Sequence, residues 1–218
     1  YLKWVPFEGA SSYHVYVEGK KIDAQLIRQY ASYIRADVLG LKAGSYSVKV
    51  VPVDAAGKEM AGANTVSNLV VKNYNREGFA HFNFKGIGAY NNDGTLKSDA
   101  KVLYITASTA KTVSTEVITG DKNKKQTVTG LQAIIDAYQK GYDTTPIAFR
   151  IIGKVSLADL DGISSSAEGL QIKGKTGYST MNMTFEGVGD DATIYGFGFL
   201  VRSAKSVEFR NFAIMRCL

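Results

Sequence analysis

The run Val207-Glu-Phe209-Arg-Asn211 echoes Met183-Thr-Phe185-Glu-Gly187 at a distance of 24 residues, with a further apolar, glycine-punctuated run over 193–201 between them. A repeat of that length, holding two or three short strands, has the size of one coil of a parallel β-helix. In such a stack each coil lies on the one before. Asn211 ends its strand. There it serves either an amide ladder running from coil to coil or an ordinary asparagine turn.

The surrounding sequence agrees. Beyond Arg76, strand-like runs fall at 100–106, 147–153, 169–174, 181–187, 193–201 and 207–214, and only one helix interrupts them. In that helix Leu131, Ile134, Ile135 and Tyr138 follow the i, i+3, i+4, i+7 spacing of a single apolar face. Thr129 is the expected N-cap and Gly141 the expected C′ residue. With one apolar face and only strands around it, the helix is expected to cover the end of something. Phe79, Phe82 and Phe84 lead into the glycine-rich 86–94 segment.

Before residue 75 the pattern is different. Short period-two runs at 2–5, 13–17, 33–38, 46–53 and 65–71 are separated by turn residues, the pattern of an antiparallel sandwich. Asp54-Ala-Ala-Gly57-Lys58 reads as the hairpin turn between the last two.

Composition narrows the partners. An apolar share of 45% excludes a disordered chain. No run approaches the roughly 18 apolar residues of a membrane span. The single cysteine, Cys217, cannot form an internal disulfide, and no Cys/His zinc framework is present. The net charge is +6, with 9 basic and 6 acidic residues up to position 75 and 17 and 14 after it, so each part carries +3. Charge spread this evenly is not a nucleic-acid footprint, which would be a concentrated stripe, but it suits a polyanionic substrate. Lys122, Lys124 and Lys125 read as a solvated loop. Both ends of the chain fall inside strand-like runs, as expected of a piece of a longer protein with a bare last strand.

Two resemblances follow from these residues. Trp4, and the stretch Leu41-Lys-Ala-Gly-Ser-Tyr46-Ser-Val48-Lys-Val50, resemble the core tryptophan and the Leu…Gly…Tyr-x-Val-x-Val signature of fibronectin type III domains. Ala43 stands where that family often has Pro, and the family's first strand would precede Trp4. The resemblance implies that the Tyr46 hydroxyl bonds upstream backbone as a tyrosine corner. Over roughly 76–218, the runs Met183-Thr-Phe-Glu-Gly-Val-Gly189 through Phe197 and Lys205-Ser-Val-Glu-Phe-Arg210-Asn211 through Ile214 resemble the pectate lyases of polysaccharide lyase family 1. So do the helix and strand at 129–154 and the segment Gly86-Ile-Gly-Ala-Tyr90. The fold class implied is all-β: a fibronectin III-like antiparallel sandwich over 1–73, then residues 76–218 as the first coils of an incomplete right-handed parallel β-helix with an N-terminal capping helix.

The function implied by the second resemblance is calcium-dependent β-elimination of polygalacturonate by a secreted, cell-surface or periplasmic bacterial enzyme. Calcium would neutralise the uronate carboxylate and an arginine would remove the proton beside it. In the family the calcium aspartates follow the Arg-Asn-apolar strand, which here is the last one. No residue of this chain matches a catalytic group or metal ligand, so none is assigned, and substrate-binding residues stay open. The 218-residue chain is expected to be catalytically silent. The implied partners are pectin-like acidic polysaccharide and, through the bare last coil, a second copy. A non-catalytic β-helix adhesin or sugar-binding protein is the alternative, and a calcium-independent pectin lyase a further one.

Other residues that suggest chemistry have plainer readings. Asp190-Asp191 is read as a turn between two strands. Gly187-Val-Gly189-Asp-Asp-Ala192 has the spacing of a dinucleotide fingerprint but is followed by a strand-like run rather than a helix. His14 and His81 lack carboxylate or cysteine patterns. Arg150, Arg202 and Arg210 are read as solvated or paired with structural carboxylates. Asn182-Met-Thr184 is a glycosylation sequon on a strand.

Overall fold

The computed structural model describes residues 1–73, 81–82, 86–163, 167, 169–175 and 179–217. Arg76, Phe79 and Phe84 lie outside the described residues. The chain is mostly β, with half of its residues in strands and 8% in helix. It divides into two compact units, Tyr1–Glu77 with Asn92–Thr95, and Gly78–Asn91 with Leu96–Leu218.

The first unit holds β1 (Leu2–Trp4), β2 (Ser12–Val17), β3 (Lys20–Lys21), β4 (Ile27–Gln29), β5 (Ile34–Ala36), β6 (Gly44–Val53) and β7 (Asn64–Val71). These form two antiparallel sheets, ordered β1-β5-β4 and β3-β2-β6-β7. Period two decides what is buried: Tyr13, Val15 and Val17 point inward from β2, while His14 and Tyr16 lie on its other face. Val15, Val17, Ala36 and Val48 form a core against which Trp4, Tyr46 and Leu69 pack. Trp4 meets Tyr13 edge to face at 5.3 Å. The Tyr46 hydroxyl donates to the Lys42 carbonyl at 2.7 Å, the upstream backbone bond expected of it. The 54–58 turn closes through Asp54 N–H to Lys58 O, but it leads into a single bridge at Val53–Glu59 before β7 begins.

The second unit holds β8 (Lys101–Ile105), β9 (Ser114–Gly120), β10 (Lys124–Thr129), α1 (Leu131–Gln139), β11 (Ile147–Ser156), β12 (Leu170–Lys173), β13 (Ser179–Tyr195), β14 (Phe199–Arg202), β15 (Ala204–Arg210) and β16 (Ala213–Met215). Strands β8, β11, β13 and β15 are all parallel, in the order β15-β13-β11-β8. The 24-residue echo is a register: Met183, Thr184, Phe185 and Glu186 pair with Val207, Glu208, Phe209 and Arg210. Strand β14 and the end of β13 complete the interval, and they pair in parallel with β12 and β16.

Phe149, Phe185 and Phe209 stack face to face across three strands, at 4.8 and 5.3 Å. They extend a core that includes Ile105, Leu170, Ile172 and Ile194. The opposite face of β11 and β13 is buried as well, which is how parallel strands come to be apolar or paired on both sides. Ala89 and Tyr90 cover it and pack on Ala148. Gly88 lies so close to Thr184 that a Cβ would overlap the Thr184 hydroxyl, and its φ of +65° is one glycine adopts freely.

The helix buries the face its periodicity predicts: Leu131, Ile134, Ile135 and Tyr138 are all buried. Gln132 accepts from the Gln171 N–H at 2.9 Å and donates to its carbonyl at 3.1 Å, so one side chain occupies the free edge of β12. Gly141 takes a positive φ at the C-terminal end, as expected. The N-terminal end departs from expectation. The N-cap is Gly130, at φ +95°, with no side-chain bond, because Thr129 is still the last residue of β10.

Three further readings are corrected. Lys124 and Lys125 belong to the β9–β10 hairpin, and only Lys122 of the three sits in its turn. The pair Asp190-Asp191 does not separate two strands. It lies exposed in a bulge within β13, where Ile152 pairs with Val188 but Lys154 already pairs with Thr193. The runs at 193–201 and 207–214 are each broken, by Gly196 at φ +81° and by Asn211 at φ +61°.

Candidate functional site

The most concentrated chemistry in the second unit is a row of polar side chains crossing the parallel sheet. Strand register sets Tyr104, Arg150, Glu186 and Arg210 side by side on β8, β11, β13 and β15. Each sits one residue after the phenylalanine stack or its Leu103 neighbour, and so on the opposite face. Glu186 Oε1 accepts from Arg150 Nε at 2.9 Å and from the Tyr90 hydroxyl at 2.5 Å. Glu186 Oε2 accepts from Arg210 Nη2 at 2.6 Å and Nε at 3.1 Å. Arg150 also reaches the hydroxyls of Tyr104 and Tyr90, each at 3.2 Å. The Arg210 guanidinium lies 4.1 Å from the centre of the Tyr90 ring and pairs with Glu208 at 3.7 Å. Glu208 in turn accepts from the Thr184 hydroxyl at 3.0 Å.

The side chains of Glu186 and Arg150 are only 2% and 7% exposed. Burial works against the charge on Arg150, but Tyr90 and Glu186 beside it outweigh burial and hold its pKa above the ordinary arginine value. Arg210 is raised in the same way, against burial, by Glu186 and Glu208. Burial, and then the negative charge of Glu186, push the Tyr90 hydroxyl up to about 12. Both arginines are therefore fixed cations, and both oxygens of Glu186 are committed to them. The row is an ion network whose partners face each other in register across four strands.

Arg150 and Arg210 thus take the structural reading, paired with one carboxylate, whereas Arg202 is exposed at the end of β14. Asn211 donates through Nδ2 to the Gly187 carbonyl at 2.8 Å, so it acts as a turn residue tied to the neighbouring strand's backbone. Asn182 is bound on both sides, donating to Thr144 O and accepting from the Ser206 hydroxyl, each at 2.8 Å. The stretch after Gly187-Val-Gly189 continues as strand, so a dinucleotide site has no helix to build on.

Of the two histidines, His14 belongs to the first unit and His81 to the second. His14 bonds Glu59 at 2.7 Å, and the Tyr16 hydroxyl donates to the same oxygen. Those bonds, from Tyr16 first and then His14, hold the Glu59 carboxyl below its usual range. His81 is half-buried, and its Nδ1 has no hydrogen-bond partner among the described residues. Among the described residues no three His, Cys, Asp or Glu side chains group as metal ligands.

Sequence reasoning did not find Glu186, Tyr90 or Tyr104. One signal for Glu186 lay in the repeat, because Glu186 and Arg210 hold the same place in it with opposite charges. Comparison with known protein families, with curated proteins and with solved structures finds no match to this chain.

Proposed function

We propose that the chain is the N-terminal part of a secreted pectate lyase of polysaccharide lyase family 1, acting on polygalacturonate by calcium-dependent β-elimination. On this reading the second unit forms the first coils of a right-handed parallel β-helix, with α1 as its cap, and the first unit is a fibronectin III-like sandwich. The observation that carries it is the parallel register at 24 residues, with its phenylalanine stack and the Asn211–Gly187 bond. The Tyr46–Lys42 bond and the sheet orders β1-β5-β4 and β3-β2-β6-β7 support the reading of the first unit.

Bound calcium would supply charge neutralisation at the uronate carboxylate. Among the described residues no three His, Cys, Asp or Glu side chains group as ligands for it, and Arg150 and Arg210 are both paired with Glu186. On this reading the ligands and the base lie in coils of the longer protein outside this chain, and no catalytic step is assigned here. The role left to it is that of scaffold. The test uses a longer protein containing this chain. Incubated with polygalacturonate and calcium, it should generate the ultraviolet absorbance of the unsaturated product, and a chelator should stop it. The 218-residue chain alone should give no signal. Product from this chain alone, or none from the longer protein, overturns the proposal. The second outcome would leave a non-catalytic polysaccharide-binding stack.

A further inference from the structure

Tyr195, at the end of β13, is sandwiched by cations from the layers on either side. The Lys154 ammonium of β11 lies 4.0 Å from the centre of its ring, and the Arg216 guanidinium, just past β16, lies 5.5 Å from it. The registers explain the arrangement. Tyr195 pairs with Ser156 on one side and Met215 on the other, which brings Lys154 and Arg216 to its two flanks. Both cations are exposed, and among the described residues no carboxylate pairs with either. The ring attracts each cation through its face but leaves its charge unneutralised and its outward N–H groups unspent. Two like charges two strand spacings apart, about 10 Å, are thus held on a rigid ladder with donors facing solvent.

We propose that Lys154, Tyr195 and Arg216 form a binding site for a carboxylated polysaccharide, whose successive acid groups bridge the two cations while the Tyr195 hydroxyl contacts the sugar between them. The choice of a sugar acid rests on the pectate reading above. The ladder itself requires only a polyanion of fixed spacing, and it distinguishes this place from the rest of a surface with net charge +6. Lys173 and Arg202 provide the comparison: they pair in register on the adjacent strands β12 and β14.

Electrophoresis of the 218-residue chain through gels containing polygalacturonate, dextran sulfate or neutral dextran tests the site. Polygalacturonate should retard the unmodified chain and neutral dextran should not. The K154Q/R216Q variant should lose about tenfold in apparent affinity. K173Q/R202Q removes the same charge and should retain retardation. Tyr195→Leu should weaken it while leaving both charges in place. Thermal unfolding confirms that each variant folds, and Lys154→Gln alone replaces any that does not. Equal losses in the two double variants would reduce the effect to net charge and overturn the site, while leaving the acidic-polysaccharide reading standing. Retardation by dextran sulfate but not polygalacturonate overturns the assignment to carboxylated sugars. Absence of retardation in any gel overturns the site outright, and product formation by the longer protein then judges the lyase reading separately.

Discussion

Glu186, itself buried, neutralises two guanidinium groups at once, that of Arg150 buried and that of Arg210 half-buried. Removing one member of such a network leaves buried charge without compensation, at a cost of about 3–5 kcal/mol. Arginine does not relieve that cost by deprotonating, because its intrinsic basicity keeps it charged far above neutral pH. Glu186→Leu should therefore be among the most destabilising single changes in the second unit. Adding Arg150→Met to it should restore part of the loss, as urea unfolding would show; a double variant as unstable as the sum of the single effects would refute the coupling.

Two buried tyrosines make a sharper comparison. Tyr90 is bonded to Glu186 and Arg150, whereas the Tyr138 hydroxyl is buried with no hydrogen-bond partner among the described residues. Tyr90→Phe should destabilise by about 1–3 kcal/mol, and Tyr138→Phe should be neutral or stabilising. The Tyr90 pKa is raised in the folded state, from 10.0 to about 12. Its contribution is therefore complete below the unfolded value and lost as pH rises through the folded one. Unfolding followed between about pH 10 and 12 should show that loss in the unmodified chain, and a smaller one in Tyr90→Phe.

At the scale of elements, close approach of one strand's backbone to the next decides what each position tolerates. A Cβ on Gly187 would overlap the Asn211 carbonyl oxygen and lie 2.7 Å from the Ala192 Cβ. Gly187→Ala should cost about 1–3 kcal/mol as an overpacking change. It should also speed hydrogen exchange around Asn211, and unchanged exchange there would refute the account.

The elements that could be read in advance are those whose signal is periodic and apolar. Phe185 and Phe209 disclosed their pairing because identical side chains stack in register, and α1 disclosed its buried face through four apolar residues. The β9–β10 hairpin gave no such signal. Its strands are largely polar, β10 is exposed along nearly its whole length, and Val117 is the one buried apolar residue of β9 to mark the register. The bulge at Asp190-Asp191 mimics a turn in composition, although its backbone never leaves the strand. The Arg150–Glu186 pair spans 36 residues, an interval the sequence does not repeat. Half of the ion network was therefore hidden.

Over the whole molecule, the parallel sheets end in strands that, among the described residues, pair on one side only: β15 and β16 on β13, and β14 on β12. Leu200, Val201, Phe209, Ile214 and Met215 are all more than a third exposed along these strands. Edges with free backbone groups and apolar side chains template further pairing. We expect concentration-dependent association of the 218-residue chain in sedimentation experiments, reduced by Phe209→Lys. A monomer at every concentration, with a slowly exchanging β15, would contradict this.

The match of Met183–Glu186 to Val207–Arg210 carries a rule for how such a protein can change length. Loss or duplication of a segment of 24 residues would return an aromatic ring to the ring stack and keep the neighbouring position on the ionic face. An odd change would swap those two faces, pressing charge into the apolar interior and phenylalanine against Tyr90. Growth or shortening in this part of the gene should then be tolerated in whole steps and selected against between them.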